Sequence, residues 1–582
     1  MSTLSSLPKT SSFTTLQPDP SVPTVDAARA NVAGICNRPR QLTGGAFCWT
    51  KPEPRKRYEY LSTSPAALRD LGLAASEANS PEFHQIVSGE SVVDADGVYP
   101  YAQAYAGWQF GQFAGQLGDG RVVNLFEIDT SSGRYEIQLK GAGKTPFLRF
   151  ADGKAVLRSS VREYVISEAL HAIGIPTTRA LALTYLPETY AQRSHAEKCA
   201  IVARFAPSWI RFGTFDLYRY RGDRQGLRQL SDYVIAEVFH NTLPAFSEYT
   251  EDLGAFTTYE KMYLEIVSRN AVSVGYWQCY GFLNGVLNTD NTSVLGLAMD
   301  FGPFAIMDKF QPDYTPNHDD SSLRYGYRNT PDSIMWNCVR LGEDLAEFIG
   351  AGPLLQDERF MEKGITADQE DMVVKRATKV IEIAQKVFQE KFLATYDTLM
   401  GNRLGLKLIA TDRDELFTPL LNWLEKSETD YNGCFTKLQG YADLSSSPTD
   451  NTFVETLIPK SLDFTYAKFT KKELTKEIHA WLKLYRERLA KQGVSDAARV
   501  KLAATANPHF LPRSWILDEV VEYMESNNCS DTSHLETLMK MALHPYDKEK
   551  WTGEGIDKKL VQRWMEEDVD NARAMMQCSC SS

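Results

Sequence analysis

The chain contains no apolar run long enough to span a bilayer and no signal-peptide core near Met1, so neither a membrane span nor a secretory signal is expected. It also lacks a basic excess. Sixty-three Lys and Arg face 75 Asp and Glu, a formal net charge of −12. That argues against a nucleic-acid binder, which needs a basic surface to meet phosphates, but leaves room for a local basic pocket that holds one nucleotide. Cysteine is sparse: nine residues, an odd number, scattered from Cys36 to Cys580. This is not a secreted disulfide framework, and no two pairs have zinc-ligand spacing. The one close pair is Cys578-Ser579-Cys580. Bases are scarce at the start, where Lys9 is the only one before Asp19. The frequent Ser and Thr there give only weak support to a mitochondrial presequence.

What is present is a globular composition, 43% hydrophobic and 24% charged over 582 residues. That length suits two or three ordinary domains or one elaborated catalytic unit. Residues 1–100 read as irregular structure with short elements. Val122 to Ile128 and Tyr135 to Lys140 read as strands of a hairpin around Ser131-Ser132-Gly133. Ser160 to Ile173 reads as a helix closed by Gly174 and Pro176. Residues 306–332 read as a long loop, and the clearest helical periodicity lies within 371–400. Residues 425–452 read as a loop or linker. A β-rich first part and a helical second part, with chemistry at their junction, is a two-lobed plan.

The sharpest motif is Asp300-Phe301-Gly302-Pro303, after the apolar, strand-like stretch 294–299. In kinases a carboxylate at such a point holds magnesium against nucleotide phosphates. Alone, the tripeptide is a weak signal and reads better as a turn after a buried strand. Asn288-Thr289-Asp290-Asn291 lies ten residues earlier and supplies hard oxygen ligands and a potential proton acceptor. Together the two motifs are expected at the ends of one short hairpin, facing one metal site.

Upstream, strand alternation puts Tyr135, Ile137 and Leu139 on one face and Glu136, Gln138 and Lys140 on the other, so Lys140 is expected to point into a cleft. Glu163 fits two readings. It is either the partner of Lys140 or the closing residue of a capping box, Ser160-Val161-Arg162-Glu163. The order strand Lys, helix Glu, Asp-Asn, Asp-Phe-Gly favours pairing. Gly111 to Arg121 is glycine-rich, as a phosphate-approaching loop would be, although its spacing is not the usual kinase one. Gly141-Ala142-Gly143-Lys144-Thr145 resembles the end of a P-loop, but Gln138 stands where the motif needs Gly. Arg204 and Arg211 could fork onto one polyphosphate.

Several blocks resemble the selenoprotein O (SelO) family. They are Gln116 to Arg121, Gln138 to Gly143, Ala155 to Ser160, Asn288 to Asn291, Asp300 to Phe304, Trp336-Asn337 and Met400-Gly401 before Leu404-Gly405-Leu406. The resemblance runs from about residue 45 to the C-terminus. It implies an α+β, protein-kinase-like two-lobed fold with N-terminal and helical C-terminal extensions. The implied divisions are an extension 1–100, an N-lobe 101–225, a C-lobe 226–425 and a helical extension 426–582. It further implies a magnesium-dependent protein adenylyltransferase, which moves AMP from ATP to Ser, Thr or Tyr hydroxyls of proteins and releases pyrophosphate. No nucleic-acid partner is expected. The alternatives are a kinase-like phosphotransferase and a non-catalytic pseudokinase scaffold.

By the same resemblance, Asp290 accepts the proton, while Asn291 and Asp300 bind Mg2+. Lys140 contacts phosphates and pairs with Glu163, Arg204 and Arg211 hold phosphates, and Gly118, Gly120, Arg121, Asp152 and Gly153 line the nucleotide. Cys580 stands where members often carry selenocysteine, so Cys578 and Cys580 are expected to act as a redox pair. The expected location is mitochondrial, with the cytoplasm as the alternative. The chain departs from the family pattern at Trp108 and Asn284, where His is usual, and at Lys154, where Arg is common.

Overall fold

The computed structural model describes residues 2–95, 97–149, 151–441, 451–460, 462, 464, 468–553, 555–566 and 573–579. It is a mixed α+β protein. One large sheet is built from β1 (Phe47–Trp49), β2 (Glu59–Thr63), β3 (Tyr101–Tyr105), β4 (Val122–Thr130), β5 (Gly133–Lys140), β6 (Arg179–Gln192) and β7 (Ala196–Ala206). Their order is β1-β3-β4-β5-β7-β6-β2. The expected hairpin is β4–β5, antiparallel through the Thr130↔Gly133 turn. Strand alternation sends Ile137 and Leu139 into one apolar cluster with Ile201, Ala203 and Phe205 of β7. Gln138 and Lys140 face the other way, toward the site.

Helix α1 (Leu157–Ile173) crosses this sheet against β6 and β7. It is buried almost all round, charged residues included, and it ends at Gly174 in the left-handed conformation (φ 92°). It starts at Leu157, three residues before the predicted cap. Ser160 therefore lies inside the helix and donates to the Val156 carbonyl (2.9 Å). The capping-box reading is thereby excluded, and Glu163 is free to leave the helix axis. Helices 514–526 and 533–543 pack on α1 from outside. Arg162 fixes that contact through Asp518 (3.2 Å) and the Phe304 carbonyl (3.2 Å).

The helical part is organised by α2 (Phe212–Arg221), α3 (Thr258–Tyr280), α4 (Thr330–Asp344) and α5 (Glu370–Arg403), with α3 packed along α5. A small antiparallel pair, β8 (Phe282–Asn284) and β9 (Phe304–Ile306), brackets both acid motifs. The apolar stretch between them is not the expected strand. Residues 294–295 form a turn and 296–299 run irregularly, because Gly296 takes φ 68° against the Arg269 carbonyl, with only isolated bridges at Ser293 and Ala298. The expected linker 425–452 is corrected up to residue 440, while 442–450 fall outside the described residues. Residues 418–427 and 431–440 are helices, the second capped by Asp430 accepting from Gly433 N (2.8 Å).

The first residues belong to the core. Leu4, Phe13 and Val22 are buried, Lys9–Thr10 pairs with β4, and the Phe13 ring stacks on Tyr101 at 5.6 Å. A processing cut after residue 22 would remove all three side chains. Deleting residues 2–16 is expected to cost several kcal/mol, since each large buried side chain contributes about 2–5 kcal/mol. Thermal melting would register this as a lower Tm.

Candidate active site

The sheet, α1 and the β8–β9 bracket bring one charged cluster together. Lys140 Nζ at the end of β5 lies 2.5 Å from Glu163 Oε2 and 3.3 Å from Asp300 Oδ1. Arg204 Nη1 from β7 lies 2.6 Å from Glu163 Oε1 and 2.8 Å from Asp300 Oδ1. Arg211 Nη1, just before α2, donates to Asp300 Oδ2 (2.7 Å) and to the Asp290 carbonyl (2.7 Å). Three cations thus face two carboxylates. Arg204 and Arg211 are 1% exposed, which makes each interaction stronger than it would be in water. Aromatic faces back the guanidinium groups, Trp209 under Arg204 (4.5 Å) and Tyr105 under Arg211 (4.3 Å).

Burial pushes the Asp300 carboxyl up, but Arg204, Arg211 and Lys140 together hold it well below the usual carboxylate range. Asp300 is therefore ionised at neutral pH. Its backbone is left-handed (φ 52°), an uncommon state for a non-glycine residue, and it turns the carboxylate toward the cluster.

Asp290 is different. It lies in the short helical turn Thr289–Asn291, and burial raises its pKa to about 7. One carboxylate oxygen accepts from Gln109 Nε2 (3.1 Å), while Oδ1 is buried without a hydrogen-bond partner. The hairpin that carries Gln109, residues 107–113, sits directly on this turn. Trp108 N donates to Thr289 Oγ1 (2.8 Å), and that hydroxyl donates to buried Asp216 (2.5 Å). A Cβ on Gly107 would stand 2.4 Å from Asp290 Oδ1, so only glycine fits there. Gly107→Ala is expected to displace the carboxylate. A loss of activity on the order of 10²-fold with a nearly unchanged melting curve would check this. Asn291 donates Nδ2 to the Val286 carbonyl (3.1 Å), which directs its amide oxygen away from that bond.

The remaining predicted residues form a shell beside the cluster. Gly118 (φ 144°) and Gly120 lie against Phe147, where a Cβ on Gly118 would meet the ring at 2.4 Å. Arg121 donates to the Lys154 carbonyl (3.3 Å). Asp152 pairs with Arg193 (3.0 Å), and Gly153 rests on the Gly143 backbone. No helix follows Gly141 to Thr145, so the P-loop alternative is excluded. Cys578 lies elsewhere, bridged to Asn317 and donating its N–H to the Pro316 carbonyl (2.9 Å). Cys580 falls outside the described residues.

Sequence reasoning missed Gln109 and Asp216. Gln109 and Asp216 carry no local signal, since each acts across the fold. Among the described residues no three His, Cys, Asp or Glu cluster as a metal site.

The family model described as "Protein adenylyltransferase SelO" matches residues 41–543. The chain is 40% identical to "Protein adenylyltransferase SelO, mitochondrial" of Schizosaccharomyces pombe, over all of this chain and 99% of that protein. It is 38% identical to the Saccharomyces cerevisiae protein of the same name, over 94% of this chain and 93% of that one. "Protein nucleotidyltransferase YdiU" of Nitrosospira multiformis is 34% identical over 88% of each. The ordered motifs, the charged cluster they build and these matches lead to one conclusion: the chain belongs to the SelO family.

Proposed function

We propose that the chain is a protein adenylyltransferase with a protein-kinase-like two-lobed core. The proposed N-lobe spans 101–225 and the C-lobe 226–425, with an extension 1–100 that adds β1 and β2 to the large sheet and a C-terminal extension 426–582. The observation that carries this reading is the pairing of an ionised Asp300 inside three cations with a neighbouring Asp290 poised near neutrality.

ATP is the substrate whose polyphosphate this cationic cluster would neutralise. Lys140, Arg204 and Arg211 stabilise charge at the α-phosphate and on the departing pyrophosphate. Glu163 holds Lys140 and Arg204 in place. Gly118, Gly120, Arg121, Asp152 and Gly153 line the nucleotide. An acceptor Ser, Thr or Tyr hydroxyl gives its proton to the buried, unpartnered Asp290 Oδ1 and its oxygen bonds to the α-phosphorus. The bond from that phosphorus to the bridging oxygen breaks, and pyrophosphate leaves.

The donor set also fits Mg2+. Asp300 is held ionised, Asn291 offers an amide oxygen, and both are hard ligands of the kind this ion takes, with phosphate oxygens and water completing its shell. When bound, the ion would neutralise phosphate charge.

The tail reads as a redox element. Residues 575–578 lie on the 308–318 loop through Met575 N to Asp308 (3.3 Å), Tyr314 Oη to the Met576 carbonyl (3.1 Å) and Gln577 to the Thr315 carbonyl (2.9 Å). An oxidised Cys578–Cys580 pair would change how that segment sits. The mitochondrial names of the two yeast relatives support the same location here.

Mass spectrometry of a protein incubated with the enzyme, ATP and magnesium tests the reading. An AMP adduct on a Ser, Thr or Tyr side chain is expected. A phosphate adduct would instead make this a kinase.

A further inference from the structure

Four buried polar residues on and beside the sheet form a line. Arg204 Nε donates to Gln138 Oε1 (2.7 Å), Gln138 Nε2 to Asn124 Oδ1 (2.7 Å), and Asn124 Nδ2 to Asp119 Oδ2 (3.0 Å). The first three are direct neighbours in register across β7, β5 and β4. All four are at most 2% exposed, so water cannot replace any member. The ends fix the direction. A guanidinium only donates and a carboxylate only accepts, so both amides have one permitted orientation. Asp119 lies between Gly118 and Gly120, and its carboxylate also accepts from Gln103 N (2.9 Å).

At the other end, the Arg204 fork is held on three sides. Gln138 takes Nε, Glu163 and Asp300 take Nη1, and Trp209 lies beneath. Nη2 is buried and has no hydrogen-bond partner, a costly state for a charged donor. It is the one nitrogen of that group left for a ligand.

We propose that Gln138 and Asn124 are positioning residues: they set the Arg204 fork so that Nη2 meets a phosphate oxygen of ATP, and they tie that fork to the glycine turn through Asp119. This rests on the ATP-binding reading above and adds two residues to it. Gln138 touches no substrate; it acts through Arg204.

ATP binding to the full-length protein, measured by calorimetry with magnesium, tests the line. Gln138→Met removes the acceptor for Nε and is expected to raise the Kd for ATP about tenfold. Gln138→Glu keeps that acceptor and is expected to recover part of the loss. In an Arg204→Lys background, which has no Nε, Gln138→Met should change the Kd by less than about twofold, because contacting residues are non-additive. Asn124→Ala interrupts the line one step further away and should give a smaller loss of the same sign, which keeps the test decisive if Gln138→Met does not fold. An unchanged Kd in Gln138→Glu and Asn124→Ala, or equal losses from Gln138→Met with and without Arg204, would overturn the proposal. A wild-type protein that binds no ATP would remove the underlying reading as well, a result readily told apart from the others.

Discussion

Asp300→Ala is expected to lower transfer from ATP to protein by on the order of 10³-fold or more. Asp300 alone touches Lys140, Arg204 and Arg211. Its removal takes away the proposed metal ligand, leaves Lys140 and Arg204 sharing Glu163, and strips Arg211 of its carboxylate partner. Breaking a buried ion cluster in this way costs about 3–5 kcal/mol, so the melting temperature should fall too. The sign with pH follows from the depressed pKa. The stabilising contribution is fully present above the unfolded carboxylate value and is lost as pH falls through the lower folded value, so the variant and wild type should converge in strong acid. ATP without magnesium should bind the variant at least as well as wild type, because a negative charge has left the phosphate site. Binding retained with transfer lost separates a missing metal ligand from a collapsed pocket.

The second large effect belongs to Asp290. Asp290→Asn is expected to reduce transfer about 10²–10⁴-fold, the range of general-base catalysis, while ATP affinity changes little. With a folded pKa near 7, the wild-type rate should rise through about pH 6–8 as the carboxylate ionises, and the variant should lose that rise. The stability consequence has the opposite sense from Asp300. The folded state holds the Asp290 proton more tightly than the unfolded chain, so stability falls as pH rises from the unfolded carboxylate value toward 7. A pH–rate profile of kcat for both proteins checks the first statement, and melting curves over the same range check the second.

Local rules reached much of this site. Period-two alternation in 135–140 placed Lys140 opposite the core, and the same rule puts Gln138 beside it, where Arg204 meets it. The order of the acid motifs implied that they converge, and Arg211 does join them by bonding the Asp290 carbonyl and Asp300 together. Glu163 was ambiguous because a capping box and a buried ion pair use the same residue types; only the helix start at Leu157 decides between them. Residues 294–299 misled because an apolar run reads as a strand, while a single positive-φ glycine breaks it into a turn and an irregular run. Gln109 and Asp216 were out of reach, since their contacts join segments 181 and 73 residues apart. The helix at 431–440 was hidden in a polar-looking stretch whose cap, Asp430, is also tied to Arg513.

The central claim is tested most directly by incubating the full-length protein with magnesium, an acceptor protein and ATP labelled at either the α- or the γ-phosphate, with Asp300→Ala as the control. Label entering protein only from the α position, and lost in the control, is the predicted result. Label entering only from the γ position, or from neither under both reducing and oxidising conditions, would contradict it.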